Sequence, residues 1–302
     1  MNISSFFKDS KPFSRLLGLF FVFLACSIAA VPFSFLPDWV GTSDEAVSIR
    51  IKLLSSGLLQ MVSFMLAAWL FAKLYTDSPA RALGLRRQGR QWVLGLVGAV
   101  TIVLLIPVTD WLTVWNESWT FGPIEDALRQ TVQEFKAAMT DMLSLTSPGD
   151  FVLQILVVAL VPAVCEEMLF RAALQPTLQA LVCNNHLGIL LTAVVFSLAH
   201  GDLYGFLPRL LLGVLLGYLF STTGSLVVSA CAHFVNNLVV VTAFHFYNRG
   251  VITLNPLAPL ALPWALTLGC TLGAILLFYI YFVKKSSQNI GNTDSANLTT
   301  GY

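Results

Sequence analysis

The chain contains little charge: Asp, Glu, Lys and Arg make up 11% of its 302 residues, and the net charge is +1. A soluble domain carries about 25% charged residues, which help to cover its surface. Hydrophobic residues instead reach 56%, and the mean hydropathy is +0.76. The scarcity of charge excludes an ordinary soluble domain, and the near-neutral balance excludes a nucleic-acid-binding protein. The composition predicts an all-α, polytopic transmembrane helix bundle.

Motifs that are common at metal and redox sites are missing as well. The five cysteines are scattered through or beside apolar runs, and no CxxC occurs. Their odd number and spacing indicate buried free thiols rather than a disulfide framework or a zinc knuckle. The helix-borne zinc motif HExxH is also absent from the sequence. We therefore expect neither a metal nor another cofactor.

Apolar runs recur along the chain and predict about eight membrane spans. The first is predicted to remain as an uncleaved helix, because it runs for about 20 residues without a charge. The fifth is too short to cross a hydrocarbon core of ~30 Å by itself. The predicted spans are residues 16–36, 52–74, 92–115, 151–173, 187–200, 206–222, 225–246 and 263–283.

Polar segments divide the chain into four predicted parts. Apolar residues in one of these segments recur at three- and four-residue steps, which is typical of an amphipathic helix on a membrane surface. The arginines at 86, 87 and 90 favour a topology with both termini in the cytoplasm, by the positive-inside rule. The parts are residues 1–116 with three spans, 117–149 as the extracytoplasmic amphipathic segment, 150–247 with the central spans, and 248–302 with the last span and a polar, disordered cytoplasmic tail.

Charged side chains inside apolar spans are costly and commonly mark a functional site. Glu167 and Arg171, in the fourth predicted span, are four residues apart with the carboxylate first, the favourable order for an intrahelical ion pair. Glu166 lies about 140° from Arg171 around the helix axis, which leaves its carboxylate available for chemistry. Pro162 removes a backbone hydrogen bond one turn earlier, and the resulting opening would admit water beside Glu166.

Two later spans add imidazoles and a carboxamide. Phe196 and His200 are four residues apart, and so are His233 and Asn237, so each pair is expected on one face of its helix. If the bundle brings these groups to Glu166, the set contains a base, proton carriers and oxyanion donors.

Three short patterns occur in this order on successive apolar segments: EExxxR at 166–171, FxxxH at 196–200 and HxxxN at 233–237. Together they resemble the motifs of the CPBP family, the CAAX protease and bacteriocin-processing (ABI) group of intramembrane proteases, which includes the type II CAAX prenyl proteases. The glycines at 213 and 217 and the sequence Thr-Gly-Ser-Leu at 223–226 are also similar to that family. The resemblance covers about residues 147–247 and carries no signal elsewhere.

The resemblance implies an endopeptidase of the glutamate type that hydrolyses peptide bonds in the membrane. It implies that Glu166 and His200 activate water, and that His233 and Asn237 stabilise the oxyanion. It implies a supporting role for Glu167, Arg171 and Phe196. The protein would be a multi-pass protein of the cell membrane with its active site towards the cytoplasmic side. Its partners would be membrane-associated peptides or proteins and the lipid bilayer.

Other functions remain open at this point. A zinc-dependent version of the same protease would use Glu166, His200 and His233 as ligands. A cysteine protease would use Cys165 with a histidine, although a thiol in apolar surroundings stays protonated. A proton-coupled transporter would use the same ionisable groups as a relay and predicts internal symmetry, of which the sequence shows none. A non-catalytic immunity or scaffold protein is a further alternative.

Overall fold

The computed structural model describes residues 7–86, 89–260 and 262–284, and every regular element in these ranges is helical. The expectation of an all-α bundle is therefore confirmed. Arg87 of the basic cluster and the predicted polar tail from residue 286 onward lie outside the described residues. The direction in which the termini face, and the division into four parts, stay predictions.

Within the described ranges, seven helices are long and apolar enough to cross a membrane, so the chain is a multi-pass membrane protein. An eighth apolar helix is shorter, as its sequence predicted, and a ninth is amphipathic. In chain order the helices are α1 (Pro12–Val40), α2 (Glu45–Tyr75), α3 (Gln91–Glu117), α4 (Glu125–Met142), α5 (Pro148–Val182), the short α6 (Asn185–Leu198), α7 (Leu203–Thr223), α8 (Leu226–Asn248) and α9 (Trp264–Phe282).

Helix α5 lies at the centre of the bundle. Half of its most apolar window is buried, against 17% for α1 and 11% for α9. Its winding is irregular, with π-helical turns at Ile155–Leu160, directly before Pro162, and at Met168–Leu174. Turns of this kind occur in helices mainly at functional sites or where the ladder of backbone hydrogen bonds is interrupted. The two carboxylates at 166 and 167 lie between them.

Helix α6 packs closely against α7 because α7 carries glycines at the contact. A Cβ on Gly213 would lie 3.0 Å from the Cβ of Ala193 and 3.3 Å from the ring of Phe196. A Cβ on Gly217 would lie 2.8 Å from Ile189 and 2.9 Å from the side-chain oxygen of Gln175. The glycines therefore let the short helix hold Phe196 inside the bundle.

The predicted amphipathic segment forms helix α4. Its C-terminal apolar residues, Met139 and Met142, pack against buried clusters of the bundle, while Ile124 and Phe135 are exposed. Ion pairs join Lys136 to Glu117 at 3.2 Å and Lys52 to Asp141 at 2.7 Å, which fixes α4 against the ends of α3 and α2.

Candidate active site

The ion pair expected from sequence spacing is present in the middle of α5. Arg171 Nε donates to Glu167 Oε2 at 3.1 Å, and both side chains are fully buried. The guanidinium also lies 4.8 Å from the centre of the Phe196 ring. A charged pair without solvent is costly to maintain unless its remaining atoms are also partnered. Glu167 meets this condition through a second helix.

That second helix is α8, which brings His233 between the two carboxylates. Because a carboxylate oxygen can only accept, His233 Nδ1–H donates to Glu167 Oε1, at 3.1 Å. The other ring nitrogen, Nε2, lies 3.9 Å from Glu166 Oε2, which is too long for a hydrogen bond. Glu166 Oε2 is buried and finds no hydrogen-bond partner among the described residues. Glu166 is thus the carboxylate left available, as expected, but with His233 beside it.

The buried charges of this cluster cancel when either Glu166 or His233 takes up a further proton. Glu166, Glu167 and Arg171 sum to one negative charge when both carboxyl groups are ionised. A doubly protonated His233 ring would bring the sum to zero and would carry a hydrogen on Nε2 as well as on Nδ1. Because Nδ1–H is committed to Glu167, Nε2–H is the hydrogen that this ring could offer to a ligand.

The Phe196 ring packs against both histidine rings, His200 and His233. Its ring centre lies 5.0 Å from that of His200 and 5.9 Å from that of His233, both edge to face. Phe196 is buried, whereas His200 is exposed on the surface of the chain. The site therefore extends from a buried carboxylate to an exposed imidazole.

The expectation that His200 lies on the same helix face as Phe196 is wrong, because α6 ends at Leu198 and His200 lies in the following turn. The side chain instead folds back on the helix end. His200 Nδ1 lies 2.8 Å from the carbonyl oxygen of Phe196, and since a carbonyl only accepts, Nδ1 carries the hydrogen. In the neutral ring Nε2 then has a free lone pair. This hydrogen bond places His200 beside Phe196 even though His200 lies beyond the end of the helix.

Asn237 lies one turn beyond His233 on α8 and faces α5. Its Nδ2 is 3.5 Å from the carbonyl oxygen of Ala159, at the limit of a hydrogen bond. Its Oδ1 accepts from Asn236 Nδ2 at 3.2 Å. Asn236 therefore orients the Asn237 side chain. The donor group of Asn237 is turned towards α5, where it is weakly held.

Sequence reasoning missed Ser229. This residue is fully buried and lies four positions before His233 on α8, and its hydroxyl donates to the Leu226 carbonyl at 3.3 Å. Its spacing of four residues from His233 was the available signal. Glu167 is hydrogen-bonded to Arg171 and His233, which makes it the better partnered of the two neighbouring carboxylates.

The alternative sites from the sequence receive little geometric support. Within the described residues, no group of three or more His, Cys, Asp or Glu is arranged to hold a metal ion. The expectation that no metal is used stays a prediction, because only an experiment with metal tests it. Cys165 is free and buried, with 1% of its surface exposed.

The chain was also compared with known proteins. Residues 148–239 match the model of the family described as type II CAAX prenyl endopeptidase, Rce1-like. The match runs from the start of α5 into α8, about a third of the chain, and confirms the resemblance to the CAAX protease family over that segment. No curated protein and no solved structure was found to match the chain significantly.

Proposed function

We propose that this protein is an intramembrane endopeptidase that uses water activated by a glutamate. The proposal starts from the match of residues 148–239 to the Rce1-like family of CAAX prenyl endopeptidases. Its substrates are membrane-associated polypeptides. The observation that carries the proposal is the contrast between the two neighbouring carboxylates. Glu167 is fully buried and hydrogen-bonded to Arg171 and His233, whereas Glu166 is partly exposed and has a buried oxygen that no described residue contacts by hydrogen bond.

Glu166 acts as the general base. It accepts a proton from water, and the resulting hydroxide attacks the carbonyl carbon of the scissile peptide bond. His200 accepts a hydrogen bond from the same water through Nε2, because its Nδ1–H is held by the Phe196 carbonyl. When the carbon–nitrogen bond breaks, the protonated Glu166 returns its proton to the leaving amine. No external reactant besides water is needed.

The oxyanion of the tetrahedral intermediate is stabilised from α8. His233 donates Nε2–H when its ring carries a hydrogen on both nitrogens, and Asn237 donates Nδ2–H, which the Ala159 carbonyl holds only weakly. Donors that are aimed in advance at the developing charge in a dry site contribute about 3–4 kcal/mol each. Glu167 and Arg171 keep His233 in place, and the Phe196 ring separates it from His200.

The substrate reaches the site from the exposed side of His200. The predicted topology would turn the Arg171 end of α5 towards the cytoplasm, whereas the His200 turn packs against Asn116 and Arg129, on the side that the same topology predicts to be extracytoplasmic. Prenylated CAAX-terminated peptides are substrates only in a cell that makes them. A bacteriocin-like precursor or a membrane protein fragment would take the same position in other cells.

The test is cleavage of two peptides by the purified protein in lipid vesicles. One peptide ends in a farnesylated CAAX sequence, and the other has the same sequence without the lipid. Mass spectrometry identifies the bond that is cut, and a Glu166→Gln variant serves as the blank. We expect the wild-type protein to cut at least one peptide and Glu166→Gln to cut neither. Equal cleavage by both proteins would refute the assignment of Glu166.

The zinc-dependent alternative is distinguished in the same assay. A strong chelator should leave the cleavage rate within about twofold of the untreated rate if water is activated by Glu166 and His200 alone. Loss of activity with chelator and its recovery with added Zn²⁺ would favour Glu166, His200 and His233 as ligands instead.

A further inference from the structure

The turn that carries His200 is held in place by a part of the chain outside the family match. We call residues 199–207, between α6 and the body of α7, the His200 segment. The family match begins at residue 148, whereas the contacts described next come from α3, the connection after it and α4. They link the part of the chain without a family signal to the candidate site.

Asn116, in the last turn of α3, makes the most specific of these contacts. Its side chain is fully buried and uses both ends of the carboxamide. Nδ2 donates to the carbonyl oxygen of Leu203 at 2.9 Å, and Oδ1 accepts from the backbone N–H of Leu207 at 2.7 Å. Two such bonds to backbone groups four residues apart fix both the position and the direction of the segment.

Tyr204, in the same segment, is held between two side chains from the region after Asn116. Its ring is 4% exposed, with the Phe121 ring 5.3 Å away at 88° and the Arg129 guanidinium 4.6 Å from its centre. Edge-to-face and cation–π contacts of this kind contribute about 0.5–2 kcal/mol each. Like the Asn116 carboxamide, these contacts hold the His200 segment against the region that contains α3 and α4.

Other interactions set the shape of the segment and join it to α6 and α7. Ser197 Oγ donates to the Phe206 carbonyl at 2.7 Å. Asp202 accepts the backbone N–H groups of Tyr204 and Gly205 and forms an ion pair with Arg209 at 3.0 Å. The segment is thus a preformed turn on α6 and α7, and Asn116 joins this turn to α3.

We propose that Asn116 is a positioning residue that sets the location of the His200 imidazole through the His200 segment. The inference rests on the proposed function, in which His200 contacts the attacking water. The backbone at His200 is joined to the end of α6 by Gly201 N–H, which donates to the Leu198 carbonyl at 3.0 Å, and Asn116 holds the other end of the same segment at Leu203 and Leu207. A misplacement of about 1 Å at a reacting group can lower the rate on the order of 100-fold.

The experiment compares Asn116→Ala with Gln154→Ala. Gln154 is a matched control, because it is also a fully buried carboxamide that bonds to backbone, at the carbonyls of Leu145 and Met142. Its partners belong to the end of α4 and the turn that follows, away from His200. Three readouts are taken on the full-length protein in lipid vesicles: the unfolding temperature, the kcat and KM for the farnesylated CAAX-terminated peptide, and labelling of each histidine by diethyl pyrocarbonate.

We expect both variants to lose stability to a similar extent. Asn116→Ala should lower kcat about 10- to 100-fold with KM within about twofold, and should change the labelling of His200 relative to that of His186. Gln154→Ala should leave kcat and His200 labelling near the wild-type values. Asn116→Asp keeps the volume and the acceptor for Leu207 N–H, so it should fall between Asn116→Ala and the wild type and provides a milder variant for the same assays.

A folded Asn116→Ala protein with wild-type kcat and unchanged His200 labelling would overturn the inference. So would equal losses of kcat in Asn116→Ala and Gln154→Ala, because they would indicate a general effect of stability. If the wild type cuts neither peptide, the proposed function fails for those substrates. The labelling still decides the positioning role in that case, and an unchanged His200 signal in Asn116→Ala overturns it.

Discussion

Two helices of this protein carry the same charged pair, a glutamate followed four residues later by an arginine. On α4 the pair is Glu125 and Arg129, 2.8 Å apart, with 46% of the arginine side chain and 25% of the glutamate side chain exposed. On α5 the pair is Glu167 and Arg171, 3.1 Å apart, with both side chains fully buried. The sequence pattern is identical, and the surroundings differ completely.

The difference shows that spacing predicts the pair and burial determines its consequence. An exposed pair on a helix contributes little, because water competes for both charges. A buried pair leaves an uncompensated charge when one partner is lost, which costs far more than the pair itself contributes. The buried pair is also hydrogen-bonded to a polar group from another helix, His233 of α8.

The largest expected effect is on stability, in Glu167→Gln compared with Glu125→Gln. Glu167→Gln removes the negative charge opposite the buried Arg171 at nearly constant volume and should lower the free energy of unfolding by about 3–5 kcal/mol. Glu125→Gln should cost less than about 1 kcal/mol. Denaturant titration of both variants in the same lipid or detergent measures the difference.

Similar losses in the two variants would break the comparison, because they would mean that burial does not distinguish the pairs. A Glu167→Gln protein of wild-type stability would likewise contradict the supporting role assigned to this residue.

The next expected effect is on catalysis, and it distinguishes two neighbouring carboxamides on α8, Asn237 and Asn236. Asn237→Ala removes a donor to the oxyanion and should lower kcat about 10²- to 10³-fold. Asn236→Ala removes only the group that orients Asn237, at 3.2 Å, and should have a smaller effect. Steady-state kinetics on the peptide that the wild type cuts measures both. A larger loss of kcat in Asn236→Ala than in Asn237→Ala would contradict the assignment of Asn237 as the oxyanion donor.

The smallest effect concerns packing and compares α7 with α9. Gly213→Ala places a methyl group 3.0 Å from Ala193 and 3.3 Å from Phe196, and should destabilise the protein by about 1–3 kcal/mol while lowering activity through Phe196. Gly269→Ala, in α9, meets nothing within 4 Å and should be neutral or slightly stabilising. Thermal unfolding and peptide cleavage give the two readouts. A neutral Gly213→Ala would show that α6 does not need its close contact with α7.

Much of the fold could be predicted from the sequence, because membrane spans follow from uninterrupted apolar length. The Glu167–Arg171 pair could be predicted for a similar reason, since both partners lie on one helix and spacing fixes their distance. Even the short fifth span was visible as a run too short for the bilayer.

Contacts between helices could not be predicted in the same way. The position of His233 between two carboxylates depends on how α8 packs against α5, and periodicity gives the face of a helix but not its partner. The bonds from Asn116 to the His200 segment join residues about 90 positions apart in the chain, at 116 and 207. The predicted span ended at residue 200, whereas α6 ends at Leu198 and a turn follows it.

The central claim is that the neighbouring carboxylates at 166 and 167 have different tasks, chemistry for the first and structure for the second. The most direct measurement determines cleavage rate and unfolding free energy side by side in Glu166→Gln and Glu167→Gln. The account predicts that Glu166→Gln loses about 10²- to 10⁴-fold in kcat with stability close to the wild type, whereas Glu167→Gln loses several kcal/mol of stability. A Glu166→Gln protein that cuts peptide at the wild-type rate, or one that is as unstable as Glu167→Gln, would contradict it.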